Sequence, residues 1–163
     1  MIDHVDGILA QWHRERPDLD VSPMGVIGRL SRAAAAVDVR LARNFAAHDL
    51  DRGSFDVLAT LLRNGSPHQL TPARLAADAM ITSSAVAQRL NRLEARGLIT
   101  REPNPEDGRG SLVTLTPAGK AAVEETLPDH LAAEEEMLAA LGPDERATLA
   151  ELLSRVLRSA GGR

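Results

Sequence analysis

The sequence contains no cysteine and almost no aromatic residues. The lack of cysteine excludes a disulfide framework, a thiol redox sensor and a cysteine-based zinc site. Tyrosine is absent as well, and the aromatic side chains are those of Trp12, Phe45 and Phe55. The core must therefore be built from Leu, Ala and Val, which favours helices packed on helices.

The sequence also has no motif typical of a membrane span, a signal peptide or a catalytic site. No run approaches the roughly 18 apolar residues of a membrane span, and the N-terminus does not open as a signal peptide. We find no nucleophile motif and no phosphate-binding glycine loop. The histidines show no ligand spacing, so we expect surface residues at His4, His13, His48, His68 and His130. We therefore expect a cytoplasmic protein that uses no metal or cofactor and is not an enzyme.

The charge is distributed unevenly along the chain. The formal net charge is −4 at pH 7. Between His68 and Lys120, however, seven basic residues stand against five acidic ones, whereas the remainder holds twelve basic and eighteen acidic residues. The segment from His68 to Lys120 is therefore basic, whereas the rest of the chain is acidic. This distribution indicates that one face of the protein binds a polyanion such as DNA.

Apolar periodicity and helix-start signals predict a mainly helical chain with a small β-hairpin wing. Three long or medium helices are expected at the start: about Met1 to Arg16, Ser22 to about His48, and one capped by Asp51 and closed at Asn64-Gly65. Two further helices are expected at the end, from about Ala118 to Ala140, kinked at Pro128, and from an Asp144 cap to Ser159.

The middle of the chain has the element order of a winged helix-turn-helix. A short helix from Ala73 to about Ala79 follows the Thr71 cap, and a turn at residues 80–81 leads to a second helix from Thr82 or Ser83 to Arg96. Two strands, 98–102 and 112–116, then flank a polar tip that contains Arg109.

The second helix of this motif predicts a DNA-reading face. Val86, Leu90 and Leu93 recur at helical spacing and should bury against the preceding helix. Polar side chains suited to base edges and phosphates lie at the start of the helix or largely on the face opposite these apolar residues: Ser83, Ser84, Gln88, Asn91 and Arg92. A solvated helix face is the alternative, but the hairpin that follows favours DNA, with Arg109 placed to enter a minor groove.

Several motifs resemble the MarR family of regulators. They are Leu75-Ala76, Ser83-Ser84-Ala85-Val86, the run Leu90 to Ile99, Asp107-Gly108-Arg109 in the wing, and Leu115-Thr116-Pro117-Ala118-Gly119. The resemblance implies a homodimer whose terminal helices intertwine and whose two recognition helices bind a palindromic operator. We accordingly expect a helical dimerisation lobe formed by residues 1–48 and 118–163 and a DNA-binding lobe formed by residues 51–117.

The extra N-terminal helix with Trp12 and the run from Phe55 to Arg63 are similar to the urate-responsive, PecS-like branch of that family. The resemblance places its ligand-sensing set on Trp12, Asp56, Arg63 and Arg89. Asp56 and Arg63 are seven residues apart and so project from one face of a helix. An Asp56–Arg89 pair would join the sensing helix to the recognition helix, and an anionic ligand would weaken it. The alternative is that these charges are solvated and that Trp12 anchors the first helix.

The function predicted from these patterns is a ligand-responsive repressor released from its operator by a small anion. Urate is the precedent of the branch, but arginines and a tryptophan also suit phenolic acids or polycarboxylates. A ligand-blind architectural DNA-binding protein is the alternative, and a fragment of an enzyme with a winged-helix dimerisation domain is a third reading. The absence of a βαβ cofactor domain argues against the fragment.

Overall fold

The computed structural model describes residues 2–79, 83–105 and 110–161, and of residues 83–85 it describes the backbone alone. Within these ranges the chain forms seven helices and three short strands, which confirms a mainly helical fold with a small sheet. In chain order the elements are α1 (His4–Glu15), α2 (Ser22–Ala47), α3 (Arg52–Arg63), β1 (Gln69–Leu70), α4 (Pro72–Asp78), α5 (Ser83–Ala95), β2 (Ile99–Pro103), β3 (Ser111–Leu115), α6 (Pro117–Met137) and α7 (Pro143–Ser159).

The chain divides into two compact units, residues 1–43 and residues 44–163. In the first unit, α1 begins at His4 rather than near Met1 because the Asp3 carboxylate accepts hydrogen bonds from the backbone N–H groups of Val5 and Asp6. Arg29 of α2 donates to Asp3 and to Asp6, at 2.8 and 2.6 Å. The α1 helix is thereby fixed along α2.

Helices α3 and α4 begin at the caps that the sequence predicts, Asp51 and Thr71, whose side chains accept hydrogen bonds from the backbone of the first turn. Thr116, which the sequence predicts as the end of a strand, caps α6 in the same way. The prediction that Asp144 caps the last helix is wrong. Pro143 is already its first helical residue and Gly142 occupies the cap position, because proline favours the first turn, where it needs no hydrogen-bond donor.

The sheet has one strand more than the predicted hairpin. Its order is β1-β3-β2, and both pairings are antiparallel. Gln69 of β1 lies opposite Thr114 of β3, and its side-chain amide donates to the Thr114 hydroxyl at 2.7 Å. The sequence offered no signal for β1, because two residues carry no periodicity and the strand exists only through its pairing with β3.

The core of the second unit is aliphatic, with a small cluster of rings beside it. Helix α3 lies at the centre and contacts α4, α5, α6 and β3. The rings of Phe45 and Phe55 stack with their centroids 4.8 Å apart, and His130 lies 5.2 and 5.1 Å from them. His130 is thus half-buried beside these rings rather than fully exposed at the surface. Residues buried almost completely include Val57, Leu58, Leu61, Leu75, Leu90, Leu93, Ile99, Val113 and Val123.

The last helix carries an apolar stripe that is only partly covered by the described residues of its unit. No residue of α7, all of which the structure describes, is buried. The side chains of the stripe are between about one third and one half exposed: Leu149, Leu152, Leu153, Val156 and Leu157. Among the residues described here, no helix combines the length and the apolar composition needed to cross a bilayer.

Candidate nucleic-acid interface

Helix α5 has one buried face and one exposed face. Val86 and Leu90 are 2 % exposed and Leu93 is fully buried, as the helical spacing predicts. The helix packs on α3, α4 and β2 through this side. On the opposite side Gln88, Asn91 and Arg92 are exposed to solvent. These three side chains therefore form a polar row that base edges or phosphates can reach.

The remaining predicted DNA contacts are only partly covered by the structure. Ser83 and Ser84 form the first residues of α5, and only their backbone is described. The predicted turn at residues 80–81, the Thr82 alternative for the cap, and Arg109 lie outside the described residues. Strands β2 and β3, which lead to and from the predicted tip, are both present and paired from Ile99–Leu115 to Pro103–Ser111.

An ion pair joins α5 to β2. The Arg101 guanidinium on β2 donates through Nε to the Glu94 carboxylate on α5 at 2.9 Å. The hydrogen bond from Arg101 lowers the pKa of Glu94 below its ordinary value, so the pair is ionised at neutral pH. The wing strand and α5 are thus linked by charge as well as by packing.

Asp56 and Arg63 lie together on α3, as their spacing predicts. Nη1 of Arg63 is 3.7 Å from Oδ1 of Asp56, and the Asp56 side chain is only 12 % exposed. Nη2 of Arg63 donates to the backbone carbonyl of Asp78 at 2.5 Å. Arg63 therefore contacts both an acidic residue of α3 and the last residue of α4, directly before the predicted turn into α5. Trp12 lies on α1 in the first unit and is 40 % exposed.

Arg89 on α5 is tied to the start of α3. Its Nε lies 3.3 Å from Oδ1 of Asp51, the residue that caps α3. Burial raises the pKa of Asp51, but the hydrogen bonds from Ser54 and the charge of Arg89 outweigh burial, so the pKa lies below its ordinary value. The carboxylate is therefore charged at neutral pH, and the pair is a salt bridge.

Three residues of this region make contacts that the sequence patterns do not predict. Asp51 was predicted only as a helix cap, and Gly53 and Arg96 were given no role. Nη1 of Arg96 donates to the backbone carbonyl of Asp49 at 2.6 Å. Glycine destabilises a helix, so its presence in the first turn of a predicted helix indicates that another group packs closely there. This is the sequence signal that could have identified Gly53.

Comparison with known proteins identifies the family. The MarR family pattern matches residues 48–110. The HTH-type transcriptional regulator PecS of Dickeya dadantii is 39 % identical over 152 residues, which cover 93 % of this chain and 92 % of PecS. The chain belongs to the MarR family. As a MarR-family protein it is a DNA-binding transcriptional regulator.

Two solved structures, one of them a MarR-family transcriptional regulator, share the fold. Sco3205 of Streptomyces coelicolor, solved in complex with DNA, superimposes with a TM-score of 0.80 at 26 % identity, over 87 % of this chain and 93 % of Sco3205. BpsR of Bordetella bronchiseptica, whose DNA binding is regulated by 6-hydroxynicotinic acid, has a TM-score of 0.72 at 29 % identity, over 80 % of this chain and 97 % of BpsR. The winged-helix fold predicted from the sequence is confirmed.

Proposed function

We propose that this MarR-family protein is a homodimeric, ligand-responsive repressor that binds a palindromic operator and is released by a small organic anion. It acts by binding and not by catalysis. The observation that carries this proposal is the position of Arg63. Its guanidinium contacts Asp56 on α3 and the Asp78 carbonyl at the end of α4, so an anion that binds Arg63 competes with both contacts.

The effector is proposed to be a flat, negatively charged molecule. The Arg63 side chain is 44 % exposed, so an anion can reach its guanidinium. The Asp56 carboxylate next to it repels the anion, so binding of the anion should weaken the contact between Asp56 and Arg63. Urate, a phenolic acid or a polycarboxylate has this chemistry. The regulation of BpsR by 6-hydroxynicotinic acid supports a planar organic acid. The role of Trp12 as a residue that holds the ligand stays a prediction from the sequence.

The DNA contacts follow from the two faces of α5. We propose that α5 enters the major groove with Ser83, Ser84, Gln88, Asn91 and Arg92 toward the DNA, and that Arg109 enters the adjacent minor groove. The exposed row Gln88, Asn91 and Arg92 supports this orientation, because the opposite face of the helix is buried in the core. Arg89 transmits the effector signal from α3 to this helix.

The test combines a ligand screen with operator binding. A thermal-shift screen of urate, aromatic acids and tricarboxylates identifies the effector, and operator affinity is then measured with and without it. We expect Arg63→Ala and Trp12→Phe to bind the operator normally but to lose the effector response, because an effector acts only through its differential affinity for two states. Asp56→Asn should change basal affinity and weaken the response.

Arg74→Ala is the matched control. Arg74 is an exposed arginine whose Nε donates to the Asp78 carboxylate at 2.7 Å, so it contacts the same residue as Arg63 without contacting Asp56. Its removal should leave the ratio of operator affinities without and with effector unchanged. If Arg63→Ala still releases DNA at the wild-type effector concentration, the effector binds elsewhere. If no organic anion alters operator affinity, the chain is a ligand-blind architectural DNA-binding protein instead.

A further inference from the structure

We propose that Asp51 is a positioning residue for base recognition, which acts by holding Arg89 of α5 on the first turn of α3. The inference rests on the proposed function, because it concerns how the same recognition helix is aligned on DNA. Asp51 was expected only to cap a helix, and its second role follows from its contacts.

The Asp51 carboxylate is shared between two helices. Its oxygens accept hydrogen bonds from the Ser54 backbone N–H at 2.9 Å and from the Ser54 hydroxyl at 3.0 Å, which fixes the side chain at the start of α3. The same carboxylate pairs with Arg89 at 3.3 Å and lies 4.0 Å from Nη1 of Arg92. One anchored acidic group therefore faces two arginines of the recognition helix.

The backbone of α3 is shaped to admit the Arg89 side chain. A Cβ atom built on Gly53 would lie 1.8 Å from Nε and 2.4 Å from Cζ of Arg89. Any residue other than glycine at this position must therefore displace the guanidinium. Gly53 is buried, and the Arg89 side chain is 26 % exposed. The guanidinium thus lies across the first turn of α3, beside the carboxylate that pairs with it.

A second arginine of α5 contacts the same corner of the fold. Arg96, two helical turns after Arg89, donates to the Asp49 carbonyl at 2.6 Å. The segment 49–53 is thereby joined to α5 at two points along its length. If the Asp51–Arg89 salt bridge is lost, α5 keeps its apolar packing on α3. It nevertheless has greater freedom to shift along the DNA major groove that it is proposed to read. Such a shift reduces discrimination between base sequences more than it reduces contact with phosphates.

The decisive experiment separates the cap from the ion pair. Asn and Ser are good helix caps, so Asp51→Asn and Asp51→Ser retain the hydrogen bond to Ser54 while removing the charge that pairs with Arg89. The operator is selected by the wild-type protein from random duplexes, and affinities are measured for the operator and for a scrambled duplex. We expect both variants to lower the ratio of the two affinities about fivefold, with the unfolding midpoint nearly unchanged.

Asp3→Asn provides the matched control. Asp3 also caps a helix and also pairs with an arginine, Arg29, but it lies in the first unit, whereas α5 belongs to the second. It should leave the affinity ratio at the wild-type value. The ratio is informative because the loss of one negative charge near DNA raises affinity for both duplexes, whereas misalignment of α5 weakens binding of the operator alone.

A double-mutant cycle tests whether Asp51 acts through Arg89. Arg89→Gln should lower the affinity ratio as Asp51→Asn does. Asp51→Asn should have little further effect in the Arg89→Gln background, because Arg92, the other arginine that faces Asp51, is more distant at 4.0 Å. Gly53→Ala, which occupies the space of the guanidinium, should also reproduce the effect of Asp51→Asn. Additive effects of Asp51→Asn and Arg89→Gln, or an unchanged ratio in Asp51→Asn, overturn the inference while leaving the regulator function intact. If the wild-type protein selects no sequence, both fail.

Discussion

At the scale of single residues, close contacts explain why two glycines occupy their positions. The first, Gly53, admits Arg89 onto α3. The second, Gly119, lies in the first turn of α6, where a Cβ atom would be 2.0 Å from the Leu98 carbonyl oxygen and 2.8 Å from Cδ1 of Leu115. The Thr116 hydroxyl caps α6 and donates to the Gly97 carbonyl at 2.8 Å. The start of α6 is therefore held directly against the start of β2.

Replacement of Gly119 tests this close approach. Because the clash is with backbone and not with a flexible side chain, we expect Gly119→Ala to reduce the free energy of unfolding by about 1–3 kcal/mol. Gly7→Ala is the control, since a Cβ atom at Gly7 meets nothing within 4 Å and alanine favours the helix by about 0.5–1 kcal/mol. Urea denaturation at a fixed protein concentration measures both. Equal stability of Gly119→Ala and wild type would contradict the tight contact.

The exposed row of α5 gives a second prediction at this scale. We expect Gln88→Ala and Arg92→Ala each to weaken operator binding by roughly 1–3 kcal/mol and to relax sequence preference, because both exposed side chains are proposed to read base edges. Arg109→Ala should weaken binding with less effect on sequence preference, since an arginine in a minor groove reads mainly groove width. Gel-shift titrations against operator and scrambled duplexes measure this. Wild-type affinity in all three variants would exclude α5 as the DNA-reading helix.

At the scale of elements, local signals predicted most helix starts and failed where the determining contacts are distant. The caps at Asp51 and Thr71 act over three residues, so they can be read directly from the sequence. Strand β1 depends on a partner more than forty residues away along the chain, and the Asp51–Arg89 salt bridge spans 38 residues. Neither leaves a periodic pattern. The buried face of α5 was predictable because apolar spacing records it, whereas the residues that align α5 are polar and not periodic.

The start of α7 provides a prediction about an element. Gly142 occupies the cap position of this helix and has no side chain to accept a hydrogen bond from the first turn, although its own backbone N–H donates to the Glu145 carboxylate at 2.8 Å. Its backbone, at φ −71° and ψ 166°, suits other residues. We expect Gly142→Ser to raise the free energy of unfolding by about 0.5–1 kcal/mol, by adding a cap and by restricting the unfolded chain. Gly142→Ala, which restricts the chain but offers no cap, should be less stable than the serine variant. The reverse order in urea titrations would show that α7 does not depend on its cap.

At the scale of the whole molecule, the exposed apolar stripe of α7 is the main feature to explain. Five aliphatic side chains at helical spacing exceed what a small monomer leaves in water without a partner. We therefore expect a homodimer, with a mass by light scattering of twice 17.4 kDa at micromolar concentration. The division into two lobes stays a prediction: a helical dimerisation lobe of residues 1–48 and 118–163, and a DNA-binding lobe of residues 51–117. A dimer formed through α7 would agree with this division, because α7 belongs to the predicted dimerisation lobe.

A charge introduced into the stripe tests the dimer. Leu153→Glu should shift the mass toward 17.4 kDa, because a carboxylate buried in an apolar interface has no partner. Ser154→Glu adds the same charge on a different side of the same helix and should leave the mass unchanged. A monomeric wild-type protein at micromolar concentration, or a dimeric Leu153→Glu variant, would exclude α7 as the interface.

The position of the lone tryptophan has a spectroscopic consequence. Trp12 lies in the first unit, whereas the second unit holds only the phenyl rings of Phe45 and Phe55, and the chain has no tyrosine. Emission excited at the red edge of the indole band therefore originates entirely from residues 1–43. Circular dichroism, by contrast, is dominated by the helices of both units. When the two signals are recorded together during thermal unfolding, they distinguish unfolding of the first unit from unfolding of the second without any label. Because the indole is partially exposed, its emission should also change when the ring of a ligand stacks on it.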